Sequence, residues 1–157
     1  MDNAFLLLNL RIFIFDLIIA FCLAKLEIQI EGKHGWAEML PTWRIKNKFT
    51  KIIWGDQPYT GYHFWIFTTI FALLHFPFFI EPQSWTVSKE LLIIAHAFIG
   101  IIIEDFLWFV LNPAYGFKKF NNRYAPWHVN WKFKLPTLYY KLTVIVIFCS
   151  ATAFFLQ

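Results

Sequence analysis

The chain contains few of the residues on which soluble hydrolases and disulfide-stabilised proteins depend. Its two cysteines, Cys22 and Cys149, fall in different apolar segments and at different expected depths, so we expect no disulfide. Serine occurs only at positions 84, 88 and 150 and never beside a histidine, which argues against serine nucleophiles. A Gly-rich phosphate loop, a cysteine pair at zinc spacing and an H-E-x-x-H sequence are also missing.

Charged residues are scarce as well, and apolar residues take their place. Only 15% of the residues are charged, whereas 59% are hydrophobic and 22% aromatic, against about 45–50% apolar residues in soluble domains. Four apolar segments, residues 4–24, 61–80, 90–111 and 137–156, are each near the roughly 20 residues that a helix needs to cross a bilayer. The sequence therefore predicts an all-α integral membrane protein: one four-helix domain over residues 1–157, with two amphipathic, aromatic interfacial segments.

The distribution of basic residues predicts the orientation of the spans. Six of the 14 Lys and Arg residues lie in 25–60 and five in 112–136, whereas the segment between the second and third spans carries only Lys89. The positive-inside rule then places both basic loops in the cytoplasm and both termini outside. Because these loops suit the inner leaflet, we expect membrane lipids as partners and no nucleic acid.

Acidic and imidazole side chains gather at the expected cytoplasmic level. Glu104 and Asp105 lie inside the third span, where a carboxylate facing lipid is costly, so at least one must face a neighbouring helix or water. Glu27, Glu31 and His34 follow the first span at spacings of four and three, which places them on one face of a continuing helix. His63 and His128 are expected on the same side.

This set of oxygen and nitrogen donors suggests a divalent metal such as iron, manganese or zinc. The sequence Glu31-Gly32-Lys33-His34 has the E-x-x-H spacing and resembles half of the motif of di-iron carboxylate proteins, although no second E-x-x-H is present. The expected metal ligands are Glu31, His34, Glu104, His63 and His128, with Glu104 and Asp105 as catalytic groups. Glu27 is a further candidate for a bridging acid.

The functional hypothesis that follows is a small multi-pass membrane enzyme. It uses the carboxylate and histidine cluster on a lipid or another hydrophobic substrate, while Arg44 and Arg123 in the loops hold a phosphate headgroup. One alternative is proton or ion handling, because Asp16, His75 and His96 extend the titratable residues into the membrane. Another is a non-catalytic subunit that assembles as a homo-oligomer or with a partner membrane protein, since the chain is rich in aromatic side chains.

Overall fold

Five α-helices make up most of the fold. The computed structural model describes residues 3–55, 57–125, 127–128 and 130–156. In these ranges the helices are α1 (Asn3–Glu31), α2 (Lys48–Trp54), α3 (Gly61–Ile80), α4 (Val87–Leu111) and α5 (Thr137–Phe155). All except the short α2 are long and apolar enough to cross a membrane. The protein is therefore a membrane-embedded, multi-pass all-α bundle, as the sequence predicts.

The helix boundaries follow from local capping residues. Helix α3 begins after Thr60, whose side chain accepts a hydrogen bond from the backbone N–H of His63, as an N-cap residue does. Helix α4 ends at Leu111, directly before Asn112 and Pro113. Helix α1 continues beyond the apolar segment that ends at residue 24, as expected from the sequence, and ends at Glu31, where Gly32 takes a left-handed conformation with φ of +64°. This extension brings Glu27 and Glu31 onto the same helix as Asp16.

Both long loops lie at one end of the bundle, which we call the loop end, and each contains a small antiparallel hairpin. In the first loop, strand β1 (Arg44–Ile45) pairs with β2 (Tyr59–Thr60), and α2 lies between them. In the second loop, β3 (Trp131–Lys132) pairs with β4 (Leu135–Pro136). Its two-residue turn, Phe133 and Lys134, has positive φ at both positions, as in a type I′ hairpin. The hairpins fix where α3 and α5 start.

Helix α4 is the central element of the bundle. It packs along α1 on one side and α5 on the other, whereas its contact with α3 is lighter. The best-buried cluster lies at the loop end, where α1, α4 and the second loop meet; it contains Ala24, Ile28, Trp108, Phe109 and Ala125. Further buried apolar residues, among them Leu92, Ala95 and Ala153, lie along α4 and α5 toward the other end of the bundle.

Elsewhere in the four spans, large apolar side chains point outward. Examples are Phe21 on α1, Phe79 on α3 and Phe148 on α5, with exposed fractions of 49%, 76% and 67%. An exposed apolar surface of this extent would be a liability in water but is the normal outer surface of a helix in hydrocarbon. Which side of the membrane the loop end faces stays a prediction from the positive-inside rule.

We expect Asn112→Ala to destabilise the fold. The Asn112 side chain is 2% exposed, donates to the Gly32 carbonyl at 2.7 Å and accepts from the Ala114 N–H at 3.0 Å, so it joins the ends of α1 and α4. Its loss leaves buried groups unpaired and should cost about 1–3 kcal/mol. Thermal unfolding in detergent, followed by near-ultraviolet circular dichroism, measures the effect. Asn121→Ala is the matched control because Asn121 bonds only within its own loop; equal melting temperatures would contradict this role.

Candidate functional site

Four carboxylates line one cavity at the loop end. Glu27 and Glu31 lie one turn apart on α1, and Glu104 and Asp105 come from the facing segment of α4. The cavity has a volume of about 50 Å³, enough for a few water-sized groups when one water needs roughly 10–15 Å³. Among the residues that the structure describes, its lining contains no Lys or Arg. The walls therefore bring several acids together and supply no full positive charge to neutralise them.

Of the four acids, Asp105 is the one fixed by two side-chain hydrogen bonds. Its Oδ2 atom accepts a hydrogen bond from His128 Nε2 at 3.1 Å and another from the Tyr139 hydroxyl. His128 belongs to the second loop and Tyr139 to the first turn of α5, so three elements meet at this carboxylate. Such hydrogen bonds to a charged group are stronger than neutral ones, and they fix the orientation of Asp105.

Glu31 is held by a turn that folds back over the end of α1. Its Oε1 atom accepts a hydrogen bond of 2.5 Å from the backbone N–H of Ala37, which is fully buried. Trp36 and Ala37 have φ values of +58° and +52°, although neither is glycine. Left-handed backbone at non-glycine residues costs energy and is found where the surrounding structure imposes it. Here this conformation directs the backbone N–H of Ala37 toward the Glu31 carboxylate.

Polar atoms without partners also lie at the cavity. Among the described residues, Oε1 of Glu104 is inaccessible and has no hydrogen-bond partner. The indole nitrogen of Trp108, a residue only 4% exposed, lies near Glu31 and is also unpaired, whereas the unpaired Tyr62 hydroxyl belongs to a residue that lines a different cavity. Each buried unpaired group costs about 1–3 kcal/mol.

Aromatic rings form much of the remaining wall. Trp36 stacks on the ring of His63 with centroids 4.3 Å apart, and Trp54 and Phe67 stack beside them. His63 is 7% exposed, and its Nδ1 atom is hydrogen-bonded to Thr60 Oγ1 at 2.7 Å. The N-cap residue of α3 thus also orients the imidazole at the cavity.

A second, larger cavity opens beside the acidic one, and we call it the vestibule. It has a volume of about 630 Å³ and four basic residues in its lining: Lys33, Arg44, Lys119 and Arg123. It shares Gly35, Trp36 and Trp127 with the acidic cavity, so the two cavities adjoin at these residues. Gly35 has no room for a side chain, since an added Cβ would lie 2.6 Å from the Trp127 ring.

The basic residues of the vestibule differ in how they are engaged. Arg44 donates to the backbone carbonyls of Ala37, Glu38, Leu40 and Thr42 and so holds the turn after α1. Lys119 donates to the Ala114 carbonyl at 2.6 Å, and Arg123 lies over the Tyr124 ring at 5.7 Å. Partial burial, with the nearby carboxylates of Glu38 and Glu31, raises the pKa of Tyr115 in the same wall. Tyr115 therefore stays a neutral donor.

The structure brings together most of the site residues expected from the sequence. Glu31, Glu104, Asp105 and His63 line the acidic cavity, and His128 contacts it through Asp105. His34 does not join them: its Nδ1 atom lies 3.5 Å from Glu38 Oε2, and its side chain is 38% exposed. Across the described ranges, no three His, Cys, Asp or Glu side chains converge as ligands for a metal ion.

Other residues at the site carry no signal in the sequence. Tyr139 was expected only as part of an apolar span, and Trp36, Trp108 and Trp127 were indistinguishable from interfacial aromatics. Lys33 and Lys119 resembled the other loop lysines. Only Glu27 had a visible signal, its spacing of four residues from Glu31.

A separate buried polar pair lies deeper in the bundle. His96 Nδ1 on α4 donates to Asp16 Oδ2 on α1 at 2.6 Å, and both side chains are almost fully buried. A narrow cleft of about 20 Å³ next to this pair also contacts Glu104. Asp16 and His96 are thus each other's hydrogen-bond partners, and the cleft lies between this pair and the acidic cavity.

No family model matches the chain, and no curated protein or solved structure matches it either. What the site does must therefore be argued from its own residues.

We expect opposite effects on stability when two neighbouring acids of the site are neutralised. Glu104 is repelled by Glu27, Glu31 and Asp105, and its Oε1 atom has no partner. Glu104→Gln should therefore stabilise the ligand-free protein, by about 1 kcal/mol or more, because an amide N–H can donate to a neighbouring carboxylate. Asp105→Asn should destabilise it by about 1–2 kcal/mol, because its hydrogen bonds lose their charge.

Melting temperatures of both variants in the same detergent measure this contrast. Glu81→Gln is the control, since Glu81 is exposed and lies away from the loop end. A fall in the melting temperature of Glu104→Gln comparable to that of Asp105→Asn would show that Glu104 has a stabilising partner.

Proposed function

We propose that the protein is a membrane enzyme that acts on a lipid or another amphiphile with an anionic headgroup. The observation that carries this proposal is that two cavities of opposite character, the basic vestibule and the acidic cavity, adjoin. A molecule with a phosphate group at one end can fill both, with the phosphate among the basic side chains and the adjoining atoms among the acids. The bundle surface accounts for the apolar part of the substrate, which stays in the bilayer.

The headgroup contacts assign different roles to the basic residues. Lys33, Lys119 and Arg123 are proposed to bind the phosphate, and Arg123 can do so with two parallel hydrogen bonds. Arg44 is expected from the sequence to share this role, but its guanidinium group donates its hydrogen bonds to backbone carbonyls. We therefore assign Arg44 mainly to shaping the vestibule wall.

The carboxyl groups are proposed to supply acid–base chemistry. Glu104 lines the cavity and has an oxygen without a hydrogen-bond partner, which suits a group that exchanges a proton with the substrate. Asp105 is oriented by His128 and Tyr139 and acts as a positioning residue. Exclusion of water from the acidic cavity would strengthen these interactions.

A divalent metal, iron, manganese or zinc, is a second proposal for the acidic cavity. Glu27, Glu31, Glu104 and Asp105 offer oxygen donors and His63 a nitrogen donor, a set that suits these ions after side-chain adjustment. The metal would polarise a substrate oxygen or activate water.

Elemental mass spectrometry of detergent-purified protein tests the metal proposal. We expect a metal-dependent enzyme to contain close to one equivalent of metal, which the Glu31→Gln, Glu104→Gln double variant loses because two of the proposed ligands become amides. Glu81→Gln should keep the wild-type content. The same trace metal in wild type and double variant would reject the proposal.

Proton or ion handling is the second candidate function, and one observation favours it. Glu104 contacts both the acidic cavity and the cleft that leads to Asp16 and His96, so titratable groups extend from the loop end into the membrane. The cleft is narrow, at about 20 Å³, which is room for roughly one water. A continuous path would need further opening or a homo-oligomer.

We expect the enzyme to convert a lipid component. The Glu104→Gln variant should lower the rate of this conversion by about a hundredfold or more, the range seen when a general acid or base is lost. Protein in nanodiscs prepared from a total lipid extract is incubated, and lipids are compared by mass spectrometry before and after. Lys118→Gln is the control, because Lys118 is an exposed loop lysine outside the vestibule lining.

The outcomes separate the two functions. Conversion by wild type and control, lost in Glu104→Gln, supports the enzyme. Unchanged lipids, together with proton flux into dye-loaded liposomes that requires Glu104, would instead establish ion handling.

A further inference from the structure

The lining of the acidic cavity is rich in carboxylates. Four carboxylates line it, and no Lys or Arg does so within the described part of the chain. Buried carboxylates without a counter-charge are strongly unfavourable, so protons or a bound cation must relieve their repulsion. We propose that the substrate supplies this cation: its headgroup carries a primary ammonium group that binds in the acidic cavity, next to the phosphate that binds in the vestibule.

This inference rests on the proposed function and narrows its substrate class. The substrate would be a zwitterionic amphiphile of the phosphoethanolamine type, in which a short linker joins phosphate and ammonium. Gly35, Trp36 and Trp127 belong to the lining of both cavities, so the two charged groups would bind in adjoining cavities. Opposite charges in adjacent cavities match such a headgroup and match a simple anion less well.

The unpaired atoms favour a primary ammonium over a quaternary one. Glu104 Oε1 is inaccessible to solvent and has no hydrogen-bond donor. A primary ammonium has three N–H donors, which can satisfy Glu104 and two other carboxylates together. A trimethylammonium group has none, so it would leave Glu104 unpaired.

The aromatic wall suits the same group. Trp36, Trp54 and Trp108 line the cavity with Phe67, and the face of an aromatic ring attracts a cation, most strongly in tryptophan. Aromatic rings together with carboxylates are a combination that recognises organic cations. Trp108 is 4% exposed, and its unbonded N–H gives the cavity a donor for a neighbouring ligand oxygen as well.

Cavity size points in the same direction. The volume of about 50 Å³ corresponds to roughly four water-sized groups at 10–15 Å³ each. An aminomethyl group with one or two waters fits this space. A trimethylammonium group, with its nitrogen and its methyl groups, would fill it and displace the water that could pair the remaining polar atoms.

Isothermal titration calorimetry of the full-length protein in detergent tests the proposal with soluble probes. The probes are O-phosphoethanolamine, phosphocholine and inorganic phosphate. We expect O-phosphoethanolamine to bind about tenfold or more tightly than the other two, the range that hydrogen bonds to a charged group give. The Glu104→Gln variant should lose this preference but keep its affinity for inorganic phosphate.

Variants on the vestibule side provide the complementary measurement. The Lys119→Gln, Arg123→Gln double variant should weaken the binding of all three probes by a similar factor, because each carries a phosphate. Lys118→Gln is the matched control for the vestibule variant and Glu81→Gln the control for Glu104→Gln, since they remove an exposed positive and an exposed negative charge, respectively, from outside the two cavities. Nanodiscs of phosphatidylethanolamine, but not of phosphatidylcholine, should compete with O-phosphoethanolamine if the natural source is a lipid.

The possible failures are distinguishable. Equal affinities for O-phosphoethanolamine and inorganic phosphate, or a preference that survives in Glu104→Gln, would overturn the ammonium site and leave the phosphate site standing. Stoichiometric metal in the acidic cavity would also overturn it. If none of the probes binds, the proposed anionic headgroup falls together with this inference.

Discussion

The burial of several carboxylates close together is the constraint that determines how the loop end of this protein is organised. Glu27 and Glu31 on α1 face Glu104 and Asp105 on α4 in a setting where the described side chains lining the cavity include no Lys or Arg. Hydrocarbon on one side and an aromatic core on the other prevent water from screening the charges freely. The fold must therefore provide polar contacts of its own, and it does so from the turn after α1, the second loop and α5.

Each of those contacts explains a local irregularity. The left-handed backbone at Trp36 and Ala37 directs an N–H toward Glu31. The hairpin formed by β3 and β4 precedes α5, whose first turn carries Tyr139 to Asp105, and the second loop carries His128 to the same carboxylate. Among the described residues, Glu104 keeps a buried oxygen without a hydrogen-bond partner. Glu31 and Asp105 are thus positioned by hydrogen bonds whereas Glu104 is not, and this asymmetry is what makes Glu104 the central residue of the functional proposal.

The fold could be predicted from the sequence because it is governed by composition over long segments. Twenty apolar residues in a row indicate a span wherever they occur, and Thr60 and Asn112 mark helix ends through their own local hydrogen bonds. The depth of Glu31 and Glu104 in the membrane could be predicted for the same reason, since helical rise converts residue number into depth. The contacts of the loops were not: nothing near Tyr139 or Trp127 in the sequence indicates that they approach Asp105 and Gly35. His34 shows most clearly where prediction from the sequence fails, because the chain turns at Gly32 and carries the His34 side chain away from the carboxylates.

The hydrogen bond between Asp16 and His96 has a consequence for how the chain is inserted during synthesis. Asp16 lies eleven residues before Glu27, close to three full turns of the helix, so pairing Asp16 with α4 also sets the rotation that turns Glu27 toward Glu104. Helix α1 is translated first, however, and α4 emerges only after α3. The Asp16 carboxylate on α1 therefore meets its hydrogen-bond partner, His96, only after the third span has been synthesised.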